Sequence, residues 1–444
     1  MTGRTECSEP DTGAQAYASD PHRVMRILVV LFLGVSLAAG QTESEDVAEL
    51  SVDRAIAIAM ERNPGLQQMQ ARIDAKAGEF WSSFGLSSPQ LLYTKEGIPP
   101  GGGGFLERKW TVTQPIDFPL RSYFRASRVS TEREALELRL RAEVLTLRAE
   151  VKKVYADLLY ADEVLRLREE TLELAATLED AVRARLEVGE APELELMNAE
   201  IQRAEAENDR IEAERLYHRA RYALFNRIGL DPEEISYGIT LADSLRYFPT
   251  DFSQDSVMAM LTAQPEYTSI AQSVEATSAG VSEAWSTLLP DLSLSYFWQD
   301  FGGGFNSHGF ELGVSVPLWF LFDQRGAIQN SQARHREATW MEQERLLALK
   351  RQAEDAWHGY DASLATITKY EEIISVRAGT LSALSLEAYR AGELDLVSLL
   401  VSQRTYLSSR IRYLDALRNY YHALIDIERF LQRDLVFVHS NGGK

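Results

Sequence analysis

The side chains that could do chemistry in this sequence are few and widely separated. Its 444 residues include one cysteine, Cys7, and seven histidines. No two histidines stand at the i, i+2 or i, i+4 spacing that puts metal ligands on one face of a strand or helix. We therefore predict no metal site and no bound cofactor, and we expect the histidines at the surface or within ordinary packing.

The glycine tract and the serines also lack a catalytic setting. Gly101 to Gly104 is followed by Phe105-Leu106-Glu107-Arg108, not by the Lys-Ser/Thr pair that opens the helix of a phosphate-binding loop. No serine is framed by glycines as in a nucleophile elbow. The sequence therefore predicts that the protein is not an enzyme and that the glycine tract is a loop.

The amino-acid composition of the chain limits the kinds of molecule that it could bind. The chain has 46 basic and 66 acidic residues, for a net charge of −20, so the cationic face that binds nucleic acid is not expected. With 45% hydrophobic residues, it has enough apolar side chains to fold around a substantial core.

The start of the chain has the pattern of an export signal. Arg23 and Arg26 precede an apolar run from Ile27 to Leu37, and the small residues Ala38 to Gly40 follow. An N-terminal membrane anchor is the alternative, but a membrane-spanning helix needs roughly 20 apolar residues. We predict that residues 1–40 are an upstream extension and a cleaved signal peptide.

An internal repeat divides the rest of the chain. Prolines and glycines recur in the same order at offsets of 201 to 203 residues: Pro64 and Pro265, Pro89 and Pro290, Gly101 and Gly302, Pro115 and Pro317, Gly189 and Gly392. We predict a first repeat over 41–240, with a β-hairpin at 87–117 and a long helical hairpin at 120–229. The second repeat, 241–435, has its β-hairpin at 289–318 and helical hairpin at 320–431, and 436–444 form a tail.

The period of the apolar residues indicates long helices. From Leu140 to Leu165 their spacing alternates between four and three, as in a coiled-coil seam, and 346–367 repeat the pattern. No Pro or Gly lies between Arg121 and Val188, so one helix of about 100 Å is predicted. The alternative, a cytoplasmic coiled-coil rod, is disfavoured by the export signal.

Between the helices the period drops to two. An apolar row, Leu292, Leu294, Tyr296 and Trp298, alternates with serines and Phe297, and a second strand follows the Gly302–His308 loop. Weaker strands are predicted at 90–96 and 109–115. Four strands cannot close a barrel, because the smallest membrane barrels have about eight. We expect other copies of the chain to complete it; the alternative is one face of a soluble β-sandwich.

These features together resemble the outer-membrane factor family, the TolC-type channels of tripartite efflux pumps and type I secretion systems. The resemblance rests on the duplicated plan, the Leu289-Pro290-Asp291-Leu292-Ser293 entry into a strand, and two helix-turn motifs. The motifs read GEAPELELMNAE from Gly189 and YRAGELDLVSLLVSQ from Tyr389.

The resemblance implies a fold that is mainly α with a small β part. Long coiled-coil-like hairpins would form a periplasmic tunnel, and four strands per protomer would enter one trimeric 12-stranded outer-membrane barrel. The partners it implies are two further copies, a periplasmic adaptor at the turns Gly189 and Gly392, an inner-membrane pump of the RND type, and outer-membrane lipid along the Leu292–Trp298 row. Nucleic acid is not among them.

The resemblance also implies a periplasmic gate. Glu195 matches an acidic position of the family, and Tyr389 matches a tyrosine that hydrogen-bonds across the closed entrance. Such a pair would be a releasable latch between neighbouring helices.

This sequence departs from the family pattern beside the latch. Two inward acidic positions hold Ser398 and Val401, and the basic partner is replaced by Leu394. Asp395 or Glu193 could supply the missing acidic group. For Glu195 and Tyr389, an ordinary solvated helix surface is the alternative interpretation.

Three functions stay open at this level. The chain is an exit duct for small molecules or metals, a duct for type I protein secretion, or, in another class, a periplasmic structural rod or adaptor. Segments 114–121 and 316–319 look closest to members of the family that serve cobalt-zinc-cadmium efflux. The cargo itself is expected to be chosen by the inner-membrane partner.

Overall fold

The structure is a computed structural model, and it describes residues 50–84, 87–98, 100–102, 104–231, 241–371 and 375–437. The predicted signal peptide lies outside the described residues, as does the end of the predicted tail, 438–444.

Two short helices open the described chain. Helix α1 spans Val52–Arg62 and helix α2 spans Pro64–Ser83. Asn63 separates them, because its side chain accepts hydrogen bonds from the backbone of Gly65 at 2.8 Å and of Leu66 at 3.2 Å. Pro64, which has no N–H to leave unpaired, follows at the first helical position.

Four antiparallel strands form one sheet in the order β1-β2-β3-β4. Strands β1, Gln90–Glu96, and β2, Glu107–Ile116, come from the first half of the chain. Strands β3, Asp291–Asp300, and β4, Asn306–Ser315, come from the second half. The β2–β3 pairing joins the halves, and among the described residues β1 and β4 each pair along one side only.

The turn between β3 and β4 is shorter than the predicted Gly302–His308 loop. Strand β4 already begins at Asn306, and His308 lies opposite Trp298. The prediction was wrong here because Gly302, Gly303 and Gly304 all take positive φ, from 69° to 92°, and reverse the chain within a few residues.

A single long helix dominates the first half. Helix α3, Pro119–Glu187, has 69 residues, and helix α4, Glu193–Ile228, returns alongside it. The seam residues Val151, Tyr155 and Leu158 are fully buried, against α1 and α4. The Tyr155 hydroxyl also donates to the Leu50 carbonyl oxygen at 2.8 Å.

The second half repeats this order of elements. Helix α5 is Gln254–Ala259, a 3₁₀ turn follows at Leu261–Ala263, and α6 is Pro265–Ser286. Helices α7, Asp323–Lys369, and α8, Ser375–Arg390, form the outgoing arm, and α9, Leu396–Leu431, returns. The predicted seam is buried at Leu349, Ala353, Ala356, Tyr360 and Ile367.

The C-terminal segment, Gln432–Phe437, links the two cores. Phe437 contacts both of them, with its ring 5.5 Å from Tyr155 and 5.3 Å from Tyr421. The buried ammonium of Lys152 on α3 donates to Glu428 on α9 and to Asp434 in the segment, the latter at 2.9 Å. A buried lysine is tolerated only with such charged partners.

The fold of one chain is therefore mainly helical with a small antiparallel sheet, which confirms the predicted fold class. None of the described helices contains an apolar stretch long enough to cross a lipid bilayer.

Candidate functional site

The candidate site lies where the long helices reverse direction. We call it the helix-turn tip: the two turns 188–192 and 391–395 with the helix ends beside them. Each turn uses a glycine with positive φ, 76° at Gly189 and 77° at Gly392. The N–H of Glu190 donates to the Arg185 carbonyl at 2.8 Å, and that of Glu393 to the Ala388 carbonyl at 2.8 Å. These bonds close helices that would otherwise end in unpaired carbonyls.

The structure brings two of the predicted gate residues together. The Tyr389 hydroxyl at the end of α8 donates a hydrogen bond to Glu195 Oε2 in the first turn of α4 at 3.2 Å. The Tyr389 side chain is only 1% exposed. Burial, and next to it the neighbouring Glu195 carboxylate, raise the pKa of the Tyr389 hydroxyl above its usual value, so this group stays a donor.

A cation that sequence reasoning missed completes this contact. The Arg185 guanidinium lies 5.0 Å from the centre of the Tyr389 ring, in the last turn of α3. A cation over a tyrosine face is attracted by the ring electrons. The contact therefore joins three helix ends, α3, α4 and α8, within one chain.

Apolar packing holds the tip together around the latch. Six buried residues form the cluster: Leu178, Val182, Ala199, Tyr389, Leu396 and Leu399. They come from α3, α4, α8 and α9, so the two helical hairpins meet here. Leu394, which replaces the family's basic residue, packs against this cluster, so the departure exchanges a charge for apolar contact.

Asp395 and Glu193, the other two acidic gate candidates, have different roles in the structure. Asp395 is the N-cap of α9: its carboxylate accepts from the Ser398 backbone N–H and from the Ser398 hydroxyl, both at 2.8 Å. These bonds hold the pKa of Asp395 below its usual value. Glu193 is exposed at the first position of α4, where a carboxylate suits the helix dipole. Ser398 thus supports a cap, and Val401 is exposed.

Glu179 is a second residue of this region that the sequence analysis did not single out. Its side chain is only 6% exposed on α3, and it accepts from Arg183 on the same helix and from Arg203 on α4 at 3.1 Å. This ion pair ties α3 to α4 roughly two to three helical turns from the tip. Its signal in the sequence, a Glu followed four residues later by an Arg, is too common to single out.

The sheet forms the second part of the site. Register places the predicted row on one face with its cross-strand neighbours: Tyr296 lies between Val112 and Phe310, and Leu294 lies opposite Leu312. Phe310, Leu312 and Val314 are 57–76% exposed on this apolar face. Thr113, Ser295 and Glu311 line the opposite face, where Thr113 and Ser295 share a hydrogen bond at 2.8 Å.

Across the described part of the chain, no group of three or more His, Cys, Asp or Glu side chains is placed to hold a metal ion. His422 instead contacts Asp157 at 2.9 Å between α9 and α3.

Residues 107–230 and 259–431 match the family model described as outer membrane efflux protein. The chain belongs to this family. The matched ranges include strand β2, helices α3 and α4, and the second half from the 3₁₀ turn to α9, so they contain three of the four strands described, β2 to β4, and the helix-turn tip.

Individual relatives agree with this membership. The chain is 23% identical over 425 residues to the cobalt-zinc-cadmium resistance protein CzcC of Cupriavidus metallidurans, covering 91% of this chain and 98% of CzcC. The outer membrane protein VceC from Vibrio cholerae shares its fold with a TM-score of 0.72 at 17% identity, over 86% of this chain and 95% of VceC. CusC does so with a TM-score of 0.71 at 17% identity, over 87% and 92%.

Proposed function

We propose that this protein is the outer-membrane duct of a tripartite efflux system. Three copies would close a barrel through their sheets and a periplasmic tunnel through their long helices. The duct is passive: an inner-membrane pump, of the RND type, and a periplasmic adaptor deliver the cargo.

The open, two-faced sheet is the observation that carries this proposal. One face is apolar and exposed and the other is polar. In the part of the chain that the structure describes, no strand pairs with the outer edges of β1 and β4. In lipid every backbone N–H and C=O needs a partner within the protein, so an open edge is not stable there. Closing the edges with strands of further copies satisfies this need and puts the polar face around a lumen.

The helix-turn tip supports a gate at the other end of the duct. The Tyr389–Glu195 bond and its apolar cluster join the two hairpins of one chain. An opening movement that separates these hairpins must break that bond, so the pair would act as a latch.

Exposed apolar side chains at the tip suit an adaptor. Val188, Leu194 and Val397 are 67–71% exposed beside the turns at Gly189 and Gly392. Apolar side chains in this number at a turn favour a protein partner over water, and the tip is where a periplasmic adaptor would dock.

The cargo we propose is a divalent metal ion delivered by the pump. CzcC, which aligns along nearly the whole chain, is by its name a cobalt-zinc-cadmium resistance protein. The duct would carry the metal without a resident metal site.

Two experiments test the proposed duct: recording of electrical current across a bilayer, and measurement of the tolerance of the source cell to metal ions. Purified protein added to a planar bilayer should give discrete current steps, and deleting its gene from the source cell should lower the tolerated concentration of zinc, cobalt or cadmium. Re-expression of the intact gene should restore tolerance, whereas a version with Val112, Tyr296 and Phe310 changed to aspartate should not. Absence of current steps from folded protein would contradict the duct.

A further inference from the structure

The outer end of the apolar face carries two cations side by side. Lys95 on β1 and Arg108 on β2 are direct cross-strand partners, and their side chains therefore share a face. They follow the pair Tyr93–Trp110, which register places on the apolar face. This face thus changes from aromatic to cationic within two residues.

Like charges directly opposite each other weaken a strand pair. Asp300 on β3 balances one of them: its Oδ2 accepts from Arg108 Nε at 2.9 Å, and its Oδ1 accepts from the Gly302 N–H at 3.0 Å. Lys95 forms no ion pair with any residue that the structure describes, and its side chain is exposed. The positive charge of Lys95 is therefore not balanced by a carboxylate among the described residues.

Aromatic rings lie against both cations. The Phe105 ring lies 5.6 Å from Lys95 Nζ and 5.0 Å from the Arg108 guanidinium, which is also 5.5 Å from the Trp298 ring. Trp and Tyr collect where a membrane meets water, and Lys and Arg just beyond them meet lipid phosphates. The order of side chains along this face is that of a lipid interface.

The two faces of the β1–β2 pair also differ in charge at this end of the sheet. The next cross-strand pair, Glu96 and Glu107, falls on the opposite face and consists of two carboxylates. On the apolar face, the two cations Lys95 and Arg108 outnumber the single carboxylate of Asp300. These residues therefore leave a net positive charge on the side of the apolar row.

We propose that Lys95 and Arg108 bind the phosphate of a lipid headgroup in the leaflet that surrounds the outer end of the sheet. This rests on the proposed function, because it requires the apolar face to lie in lipid. Arg108, oriented by Asp300, supplies donors in a fixed direction, and Lys95 supplies the unbalanced charge. The bound phosphate would relieve the repulsion between the two cations and fix the depth of the sheet in the membrane.

Native mass spectrometry of detergent-extracted protein tests the site. The probes are lipid A, which carries phosphate monoesters, and the same glycolipid with its phosphates removed. We expect the protein to retain lipid A and not the dephosphorylated form. Lys95→Gln should weaken retention about five-fold, since one basic residue near a lipid surface contributes a factor of that order, and Lys95→Arg should restore it.

Lys109 provides the matched control. It is the next residue along β2 and lies on the opposite face, over the Phe297 ring at 4.4 Å. Lys109→Gln should leave lipid retention unchanged. Equal retention by Lys95→Gln, or equal loss in Lys109→Gln, would overturn the site, and displacement of lipid A by an equal concentration of inorganic phosphate would overturn its assignment to a lipid. Current steps from the same preparation are recorded separately, so failure of the duct and failure of the phosphate site are told apart.

Discussion

At the scale of residues, the Tyr389–Glu195 pair is the latch that we propose for the gate. Its hydroxyl and carboxylate oxygens are 3.2 Å apart, which is longer than most hydrogen bonds between two oxygens. We therefore expect the buried apolar cluster to contribute most of the free energy that keeps the two hairpins together at the tip. The hydrogen bond would be the part of the contact that a docking partner could replace without exposing apolar surface.

Removing the latch should favour the open duct. A hydrogen bond to a charged group contributes about 1.5–3 kcal/mol, and each copy in an oligomer would add its own. We expect Tyr389→Phe and Glu195→Gln to give more frequent or larger openings in planar bilayers. The double variant should open no more than the stronger single variant, because both changes remove one bond.

Asp395→Asn is the control for the latch, because this side chain caps α9 and does not contact Tyr389. It should leave conductance close to that of the unmodified protein. Unchanged conductance in both latch variants would assign Glu195 and Tyr389 to ordinary helix packing.

The carboxyl of Asp434 is expected to make the stability of the protein depend on pH. Burial acts to raise the pKa of its carboxyl, but hydrogen bonding to Lys152 and the charges of Lys152 and Arg148 outweigh this and lower it. A carboxyl with a lowered folded-state pKa stabilises the protein above its unfolded value of about 3.9, and that stability is lost as the pH falls through the folded pKa.

Thermal midpoints at pH 7, 5, 4 and 3 measure this effect. The unmodified protein should lose stability below about pH 4, and Asp434→Asn should lose less over the same range. Because the Asp434 side chain is 53% exposed, we expect the difference to stay under about 1 kcal/mol. An equal loss of stability on acidification in Asp434→Asn and in the unmodified protein would contradict the role of Asp434.

At the scale of elements, the sequence predicted the long helices and strands well because their signals are long and local. Helix α3 needed only an unbroken apolar period between Pro119 and Gly189, and the strands needed only alternation. The features that the sequence did not predict depend mostly on contacts between residues that are far apart in the chain. Arg185 reaches the Tyr389 ring because the end of α8 meets the end of α3 at the tip, although the two residues are far apart in the chain. Asp395 is the exception, because an Asp at a helix N-cap is a local signal, and the sequence analysis considered this residue for the gate instead.

The turn glycines offer a test at this scale. Gly392 has a φ of 77° with open space around its Cβ position, so Gly392→Ala meets backbone strain and no clash. We expect it to destabilise the protein by about 1–2 kcal/mol and to loosen the tip, seen as a lower thermal midpoint and faster proteolysis near residue 392.

Gly379 is the opposite case on the adjacent helix α8, with no positive φ and no atom within 4 Å of its Cβ position. Gly379→Ala should raise the midpoint slightly, because alanine restricts the unfolded chain and fits the helix. A loss of stability at Gly379 equal to that at Gly392 would contradict an origin in backbone strain.

At the scale of the whole molecule, three copies of the sheet are expected to form one closed structure. Four strands per chain fall short of the roughly eight that the smallest membrane barrels need. Mass measurement on detergent-extracted protein should therefore give three times the mass of one processed chain. A stable monomer that inserts into bilayers would require another way to cover β1 and β4.

The edges of β1 and β4 also bear on whether a defective gene copy impairs chains made from a normal copy in the same cell. In the proposed trimer every chain would lend one edge to each neighbour. A single copy with a proline in β4, such as Leu312→Pro, would then break a strand pairing that two normal copies cannot repair. If normal and defective chains are made in equal amounts and mix freely, only about one trimer in eight contains normal chains alone. A cell carrying both genes should then lose most of its metal tolerance, whereas a cell with one normal gene and one deleted gene keeps it. The open edge of a single sheet would thus make a loss of function dominant.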